Sequence, residues 1–428
     1  MDLSVLKKWN PWWAYGSVPE EKVGVPRQEL LDMVYGLVEA KEVVGITGVR
    51  RGGKSTILHQ VIGRLLADGV APENILYFNF DEPLETEGVK ILDVVYGGFL
   101  ELKNPDGRQY LFFDEIQNIG GWERWVKTRY DNEGGKIKFF VTGSNTSMLS
   151  DSLSTLLTGR IFSKEVYPLS FKEYLSFKKF GAGDLDLQRE RVMHYLGEYM
   201  EYGGFPEAVL EENSEINRQR LREYFNSILF RGIVATRQVK ESARLAELSQ
   251  YLATNLATAF SYNKISKAIG LNINTMKEYI HYLHQAYLVF QANHFSHSLK
   301  ESLALQKPKK TYFIDNGMRN AVAARFTKDE GRLAENLVYL ELKRRGFEIH
   351  FWKGKNEVDF VTRSPAGGIT AINVTYGEKT DAREKRGLIE FREKFKKADV
   401  LIITRNEEKE EDEIKHTPLW KWLLEDNN

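Results

Sequence analysis

The sequence has 428 residues, of which 42% are hydrophobic and 28% are charged, as in an ordinary globular protein. At about 150 residues per domain, this length predicts two to four domains. The chain has 60 basic residues (Lys and Arg) and 60 acidic residues (Asp and Glu), so its net charge is zero. This balance argues against a protein that coats nucleic acid over its whole surface, but it allows a local basic face. The absence of cysteine excludes disulfides and indicates a cytoplasmic protein. Without a signal-peptide pattern or a run of about 18 apolar residues, we expect no membrane span.

Strand-like and helix-like segments alternate in residues 1–170. They are the β-rich runs 43–47, 75–80, 110–113 and 138–142 and the amphipathic helical patterns 56–66 and 122–130. This alternation is typical of βαβ units, which form a mostly parallel sheet with helices on both faces. We therefore predict an α/β fold for this part of the chain.

A phosphate-binding motif follows the first predicted strand. The sequence Gly48-Val49-Arg50-Arg51-Gly52-Gly53-Lys54-Ser55 fits the P-loop pattern G-x-x-x-x-G-K-[ST] in full. Its glycines let backbone N–H groups point at phosphate oxygens, and the helix that follows, with Thr56 in its first turn, adds partial positive charge. Lys54 is expected to contact the β- and γ-phosphates of ATP, and Ser55 to ligate Mg²⁺. The alternative is a chance glycine-rich turn, but the strand before it and the helix after it favour an ATP site.

Two acids end the strand predicted at residues 110–113. Asp114 would hold Mg²⁺, directly or through water, and Glu115 would orient and deprotonate the attacking water. The alternative is a buried strand with ordinary acidic residues at its end. A P-loop about 60 residues earlier favours the catalytic interpretation.

Two further side chains are candidates for contact with the γ-phosphate. Ser144 or Asn145, at the end of the strand predicted at 138–142, would sense that phosphate through a hydrogen bond. Arg160 would stabilise charge in the transition state, from its own subunit or a neighbour. A plain strand-to-helix cap and a structural arginine are the respective alternatives.

Eight short stretches together resemble one ATPase family. They are Val25-Pro26-Arg27, the P-loop (48–55), Tyr77-Phe78-Asn79-Phe80-Asp81, Phe113-Asp114-Glu115-Ile116-Gln117, Thr142-Gly143-Ser144, Leu157-Thr158-Gly159-Arg160, Tyr167-Pro168-Leu169-Ser170-Phe171 and Gly203-Gly204-Phe205-Pro206-Glu207. In this order they resemble the archaeal and other prokaryotic AAA+-related P-loop ATPases with a C-terminal winged-helix and nuclease-like region of the DUF4143 type. The resemblance implies an AAA+ sheet with strand order 5-1-4-3-2, a helical lid and nucleotide-dependent oligomers.

The middle of the chain predicts two further domains after the ATPase core (1–170). Residues 171–252 are almost wholly helical in pattern and would form the lid. Residues 253–320 predict a winged helix-turn-helix. Its core would consist of Ile265, Ala268, Ile269, Met276, Ile280 and Leu283. Lys264, Lys267 and Lys277 would lie on the outward face, where they could contact DNA; the alternative is a protein-interaction module.

Residues 321–428 resemble a restriction-endonuclease-like fold. Glu335 on a predicted helix and Asp359 on a predicted strand stand where that fold carries metal-binding acids, but Asn373 and Thr375 replace the Glu and Lys of its Glu-x-Lys triplet. Such a nuclease needs clustered carboxylates to hold Mg²⁺ and a cation to assist water. We therefore predict a degenerate module without nuclease activity, although Lys379 could supply the missing cation.

These features lead to one principal hypothesis and one rival. The first is a Mg-ATP-dependent ATPase that performs DNA translocation, remodelling or recombination as a homo-oligomeric ring, whose size the sequence leaves open and for which a hexamer is one arrangement. The rival is a nucleotide switch of the signalling or defence type, which binds a protein partner and hydrolyses ATP slowly. Stimulation of ATP hydrolysis by DNA would separate the two.

Overall fold

The computed structural model describes residues 3–82, 88–133, 135–146, 157–181, 187–296, 308–324, 329–364, 367–377 and 382–425. The chain divides into two compact units, Met1–Val166 and Tyr167–Asn428. The first unit therefore ends close to the boundary predicted at residue 170. The predicted division of residues 171–428 into three domains stays a prediction. Within the described ranges, no helix is long and apolar enough to cross a membrane.

The first unit is built on a five-stranded parallel sheet. The strand order is β2-β3-β4-β1-β5, which confirms the order 5-1-4-3-2. Its strands are β1 (Val43–Gly48), β2 (Ile75–Asn79), β3 (Gln109–Asp114), β4 (Ile137–Gly143) and β5 (Ile161–Val166), and its helices are α1 (Ser4–Trp9), α2 (Trp12–Tyr15), α3 (Glu20–Val23), α4 (Gln28–Tyr35), α5 (Lys54–Ala67), α6 (Lys90–Lys103) and α7 (Trp122–Asn132). The predicted β-rich runs are strands, and the two predicted helices are α5 and α7.

Successive strand residues face opposite sides of this sheet, and each side has its own apolar core. Phe112 packs in the cluster that includes Ile57 of α5, and its ring stacks on Phe140 at 4.6 Å. Phe113 packs in the other cluster, which includes Val126 of α7. Because β3 is covered on both faces, it reads as a continuous apolar run, and it can hold the two acids that follow it at a fixed position.

The N-terminal helices cover the edge strand β2. The Asn10 side chain accepts a hydrogen bond from Tyr77 N (2.7 Å) and donates one to Tyr77 O (2.9 Å). The Trp13 indole donates to Ile75 O at 2.9 Å, and the fully buried Trp12 indole also faces Ile75 O. Side chains of the first helices thus supply partners for backbone groups that an edge strand would otherwise expose.

The second unit begins with a helical region, as predicted for residues 171–252. The helices are α8 (Phe171–Phe177), α9 (Arg189–Tyr202), α10 (Pro206–Val209), α11 (Ser214–Asn226), a π-helix (Ser227–Val234), α12 (Ala235–Arg237) and α13 (Ser242–Thr254). Ser170 begins α8 with a capping box, in which its side chain and that of Glu173 each accept a hydrogen bond from the other residue's backbone N–H. The Gly203-Gly204 pair follows α9 and lies against Asp315, whose carboxylate accepts from Gly204 N at 2.6 Å. Burial raises the pKa of Asp315 to about 6.

A nine-stranded sheet fills the rest of this unit, in the order β13-β14-β12-β11-β10-β9-β7-β8-β6. Its strands are β6 (Ala259–Phe260), β7 (Val289–His294), β8 (Lys309–Phe313), β9 (Glu348–Lys353), β10 (Glu357–Arg363), β11 (Ile369–Thr375), β12 (Ala398–Thr404), β13 (Lys409–Glu411) and β14 (Ile414–Pro418), and its helices are α14 (Tyr262–Ile269), α15 (Ile273–Gln285), α16 (Asn316–Val322), α17 (Glu330–Arg344), α18 (Ala382–Lys394) and α19 (Leu419–Leu424). Since β7 pairs in parallel with β9, one sheet crosses the boundary predicted between residues 320 and 321.

Candidate active site

The P-loop connects β1 to α5 in the manner its sequence predicts. Gly48 has φ +147°, and a Cβ at this position would lie 2.0 Å from the carbonyl oxygen of Val166 on β5. Gly53 has φ +95° and directly precedes α5. Both positions favour glycine, because L side chains rarely adopt such angles. The N-terminus of the fourteen-residue α5 therefore opens into the loop, where its dipole favours an anion.

Lys54 is almost fully buried at the centre of the site. Its ammonium donates to Gly48 O (3.2 Å), Val49 O (3.1 Å) and Ser144 Oγ (2.7 Å). It also lies 3.5 Å from Glu115 Oε1. These acceptors hold the ammonium inside the loop, in the place where phosphate oxygens would compete for its three donors.

Asp114 is completely buried at the end of β3 and is surrounded by donors. Its Oδ2 accepts from the Tyr77 hydroxyl (2.7 Å) and from Asn79 Nδ2 (3.2 Å), and its Oδ1 accepts from the Thr142 hydroxyl. The Ser55 side chain also hydrogen-bonds to this carboxyl. Burial, followed by the charge of Glu115, raises the pKa of Asp114 above its ordinary value. A divalent cation would oppose that shift, because it favours the ionised carboxylate.

Glu115 follows Asp114 with a left-handed backbone, φ +53°, which turns its side chain toward Lys54. Its backbone N–H donates to Thr142 Oγ1 at 2.9 Å. Its Oε1 accepts from Ser144 Oγ and its Oε2 from Gln117 Nε2, each at 2.6 Å. Burial acts to raise the pKa of Glu115, but the Lys54 ammonium and these hydrogen bonds together hold it below its ordinary value. The carboxylate is therefore ionised at neutral pH, as a general base must be.

The structure thus brings together five predicted residues, Lys54, Ser55, Asp114, Glu115 and Ser144. The other P-loop residues line the same turn. Val49 is buried, Arg50 forms an ion pair with Asp81, and Arg51 is exposed with φ +68°. Thr56 lies in the first turn of α5, and its methyl group would lie 3.6 Å from a Cβ on Gly24.

Arg160 is not part of this cluster. Strands β1 and β5 are parallel, with Val43 opposite Ile161 and Gly48 opposite Val166. Arg160 therefore lies at the edge where the strands begin, about 17 Å from the edge that carries the P-loop, given about 3.3 Å per residue. Its Nε instead donates to Asp131 Oδ1 at 3.1 Å. Contact with the γ-phosphate in the same subunit is out of reach, and contact from a neighbouring subunit stays a prediction.

Several residues of the site were not predicted from the sequence. Tyr77 and Asn79 approach Asp114 from β2, and Gln117 approaches Glu115 from the turn after β3. The buried Arg27 donates to Gly52 O of the P-loop at 3.1 Å. Tyr77 and Asn79 could have been predicted, because the carboxyl ends of parallel strands lie at the same edge of a sheet. Strand β2 ends at Asn79, two residues after Tyr77.

The predicted DNA-contacting lysines lie on a helix-turn-helix. The Ser261 and Asn272 side chains cap α14 and α15, and Gly270 ends α14 with φ +72°. Lys264 and Lys267 are exposed and Lys277 is half-buried. In the predicted core, Ala268 is exposed, whereas the other five residues are buried: Ile265, Ile269, Met276, Ile280 and Leu283.

An additional lysine lies beside these. Lys309 of β8 and Lys277 of α15 stand 5.8 Å and 5.6 Å from the centre of the Tyr262 ring. Burial lowers the pKa of Lys309. Across the described ranges, no carboxylate forms an ion pair with Lys264, Lys267, Lys277 or Lys309.

Glu335 and Asp359, the two acids singled out in the C-terminal region, lie together. Both contact the buried Lys310, at 2.9 Å each. Burial, followed by the charge of Asp359, raises the pKa of Glu335 to about 8. Asn373 and Thr375 lie on β11 beside them, and Lys379 falls outside the described residues.

Comparison with known proteins gives a consistent assignment. Residues 40–175 match the model of an AAA domain, and residues 193–329 and 330–422 match two domains of unknown function, DUF8612 and DUF4143. The chain is 33% identical over 402 residues to the uncharacterized protein MJ1544 of Methanocaldococcus jannaschii, covering 89% of this chain and 87% of that one. It is 30% identical over 414 residues to an uncharacterized protein of Haemophilus influenzae, covering 94% and 100%. Among solved structures, the Walker-type ATPase PABY2304 of Pyrococcus abyssi matches with 12% identity and a TM-score of 0.45, over 70% of this chain and 96% of that one.

Proposed function

This chain belongs to the same protein family as MJ1544 and carries an AAA domain. We propose that it binds Mg-ATP at its P-loop and hydrolyses it with Glu115 as general base. The observation that carries this proposal is the convergence of Lys54, Ser144 and Glu115 beside Asp114. A lysine, a hydroxyl and two carboxylates at a helix N-terminus are the set that phosphoryl transfer requires.

The residues present fit Mg-ATP, because the N-terminus of α5 opens into the loop and the lysine already lies within it. Mg²⁺, when bound, supplies positive charge to the phosphates, and Ser55 and Asp114 are the side chains that would hold it. Lys54 would exchange its carbonyl acceptors for phosphate oxygens. Glu115 would accept the proton of the attacking water at a carboxylate oxygen, since each oxygen accepts one hydrogen bond, from Ser144 or from Gln117, and keeps a second lone pair. Ser144, the proposed sensor of the γ-phosphate, therefore donates a hydrogen bond directly to the proposed general base, Glu115.

Arg160 is proposed to act on the γ-phosphate of a neighbouring subunit in a homo-oligomer. Proteins carrying Arg160→Ala or Glu115→Gln should each hydrolyse ATP at a small fraction of the wild-type rate, whereas a mixture should recover part of the activity. Recovery is expected because some interfaces in the mixed oligomer combine an intact Arg160 with an intact Glu115. Phosphate release is measured at a series of mixing ratios, with Asp131→Asn as the control for loss of the Arg160–Asp131 ion pair. The absence of recovery in confirmed mixed oligomers would mean that Arg160 is structural.

We further propose that ATP hydrolysis performs work on DNA, such as translocation, remodelling or recombination. Support comes from the helix-turn-helix of α14 and α15 and from the antiparallel strands β6, β8 and β7, which are the elements that we expect of a winged helix. The lysines on it have no carboxylate partners among the described residues, and such lysines favour a polyanion. The rival, a nucleotide switch with a protein partner, is supported by the balanced net charge of the chain, and DNA that fails to stimulate ATP hydrolysis would favour it.

DNA binding is expected to depend on Lys264, Lys267 and Lys277. Each lost phosphate contact should flatten the plot of log affinity against log salt by about one unit, since each contact releases a counterion. Binding of a fluorescent duplex is measured between low and moderate salt for the triple alanine variant. The control variant replaces three exposed lysines in turns elsewhere in the second unit, Lys355, Lys396 and Lys397. Unchanged affinity and slope in the first variant would point to a protein-binding module.

A further inference from the structure

A buried lysine lies among three carboxylates in the second unit. Lys310, on β8, is 1% exposed, and its ammonium lies 2.9 Å from Glu335 Oε1, 2.8 Å from Glu357 Oε1 and 2.9 Å from Asp359 Oδ1. Glu335 comes from α17, and Glu357 and Asp359 from β10. The ammonium has three N–H donors and therefore meets one carboxylate with each of them.

Further hydrogen bonds hold the side chains in and around this cluster. Asp359 Oδ2 accepts from Val374 N at 3.0 Å, and the Tyr312 hydroxyl donates to Glu335 Oε1 at 2.8 Å. Asn373 accepts from Asp359 N at 2.9 Å and donates to the Glu384 carboxylate at 2.8 Å. Asn373 thus uses both ends of its amide on neighbouring residues, and it carries no negative charge to hold a metal ion.

The positions of the carboxylates argue against a metal ion here. A bound Mg²⁺ or Ca²⁺ would need carboxylate oxygens at about 2.0–2.6 Å around itself, and the ammonium stands at the point where those oxygens converge. Two cations cannot share that position. Within the described residues, no group of three or more acids and histidines is arranged to hold a metal ion.

We infer that the Lys310 ammonium takes the place of a divalent cation in this cluster, so that the C-terminal region folds without metal and does not cut DNA. The cluster is then a structural ion-pair centre that joins β8, α17 and β10. This inference is independent of the ATP site, because every residue in it belongs to the second unit.

The test counts Mn²⁺ bound to the full-length protein without nucleotide, by electron paramagnetic resonance of the free ion. Four proteins are compared: wild type, Asp359→Asn, Lys310→Ala and Lys310→Ala with Asp359→Asn. Wild type and Asp359→Asn should bind the same amount, because no ion contacts Asp359 while Lys310 is present. Lys310→Ala should bind one additional ion per chain, which the double variant loses, and Mn²⁺ should raise the Tm of Lys310→Ala alone.

Three results would overturn the inference. The first is an Mn²⁺ ion in the wild type that disappears in Asp359→Asn, since Lys310 would then assist a metal rather than replace it. The second is a folded Lys310→Ala that gains no ion. The third is cleavage of supercoiled, linear or branched DNA by the wild type with Mg²⁺ or Mn²⁺ and ATP that is lost in Asp359→Ala. If Lys310→Ala does not fold, the comparison of wild type with Asp359→Asn and the cleavage assay still decide the question.

Discussion

Replacing Lys54 with alanine is expected to abolish ATP turnover and to remove tight ATP binding. The ammonium is fixed inside the P-loop by Gly48 O and Val49 O, and it is the side-chain cation that this arrangement offers to the β- and γ-phosphates. Without it, the phosphate charge would face the loop amides and the α5 dipole alone. Phosphate release and equilibrium binding of a fluorescent ATP analogue measure the two effects.

Two variants make this result interpretable. Lys136→Ala removes an exposed lysine from the same unit and should leave turnover unchanged. Lys54→Arg keeps the charge but replaces a compact ammonium with a planar guanidinium, and it should also be inactive. Thermal unfolding of each variant controls for loss of structure. Near-normal turnover in a folded Lys54→Ala protein would remove the proposed ATP site.

Replacing Glu115 with glutamine is expected to leave ATP bound but to slow hydrolysis by about 100-fold or more, the scale of general-base assistance. An amide can still contact Ser144 and Gln117, so the site should keep its shape. It cannot accept a proton from water, so the chemical step should fail. Single-turnover hydrolysis and ATP affinity are measured side by side.

The control for this variant is Glu101→Gln, on an exposed position of α6, which should behave as the wild type. Loss of ATP binding in Glu115→Gln would mean that Glu115 holds the nucleotide or its metal rather than the water. Unchanged single-turnover rates would assign the general base to another residue.

Much of the first unit could be predicted because its strands are buried on both faces. Strands β1, β3 and β4 appear as continuous apolar runs, and the P-loop and Asp114-Glu115 follow two of them. Strand β5 was not predicted, because it lies at an edge of the sheet. Its sequence is Ile-Phe-Ser-Lys-Glu-Val, and Phe162 is 45% exposed. A half-exposed edge strand lacks both the apolar run and a clean alternation.

Contacts between side chains that are far apart in the chain could not be predicted from the sequence, for a different reason. Lys310 is 25 residues from Glu335 and 49 from Asp359, and no local pattern relates them. Tyr77 and Asp114 are likewise 37 residues apart. Their contact follows from the order of strands in the sheet, which the family resemblance implied, but the choice of side chain at each strand end does not follow from it.

The N-terminal segment covers the edge strand β2, and this affects how the protein can be handled. Asn10 occupies both backbone groups of Tyr77, so that β2 cannot recruit a strand from another copy there. A protein trimmed by its first sixteen or so residues would present an open β-edge and should self-associate in a concentration-dependent way before it loses its fold. The same Tyr77 holds Asp114 through its hydroxyl. Shortening the chain at this end should therefore disturb both its colloidal behaviour and the proposed affinity of Asp114 for magnesium.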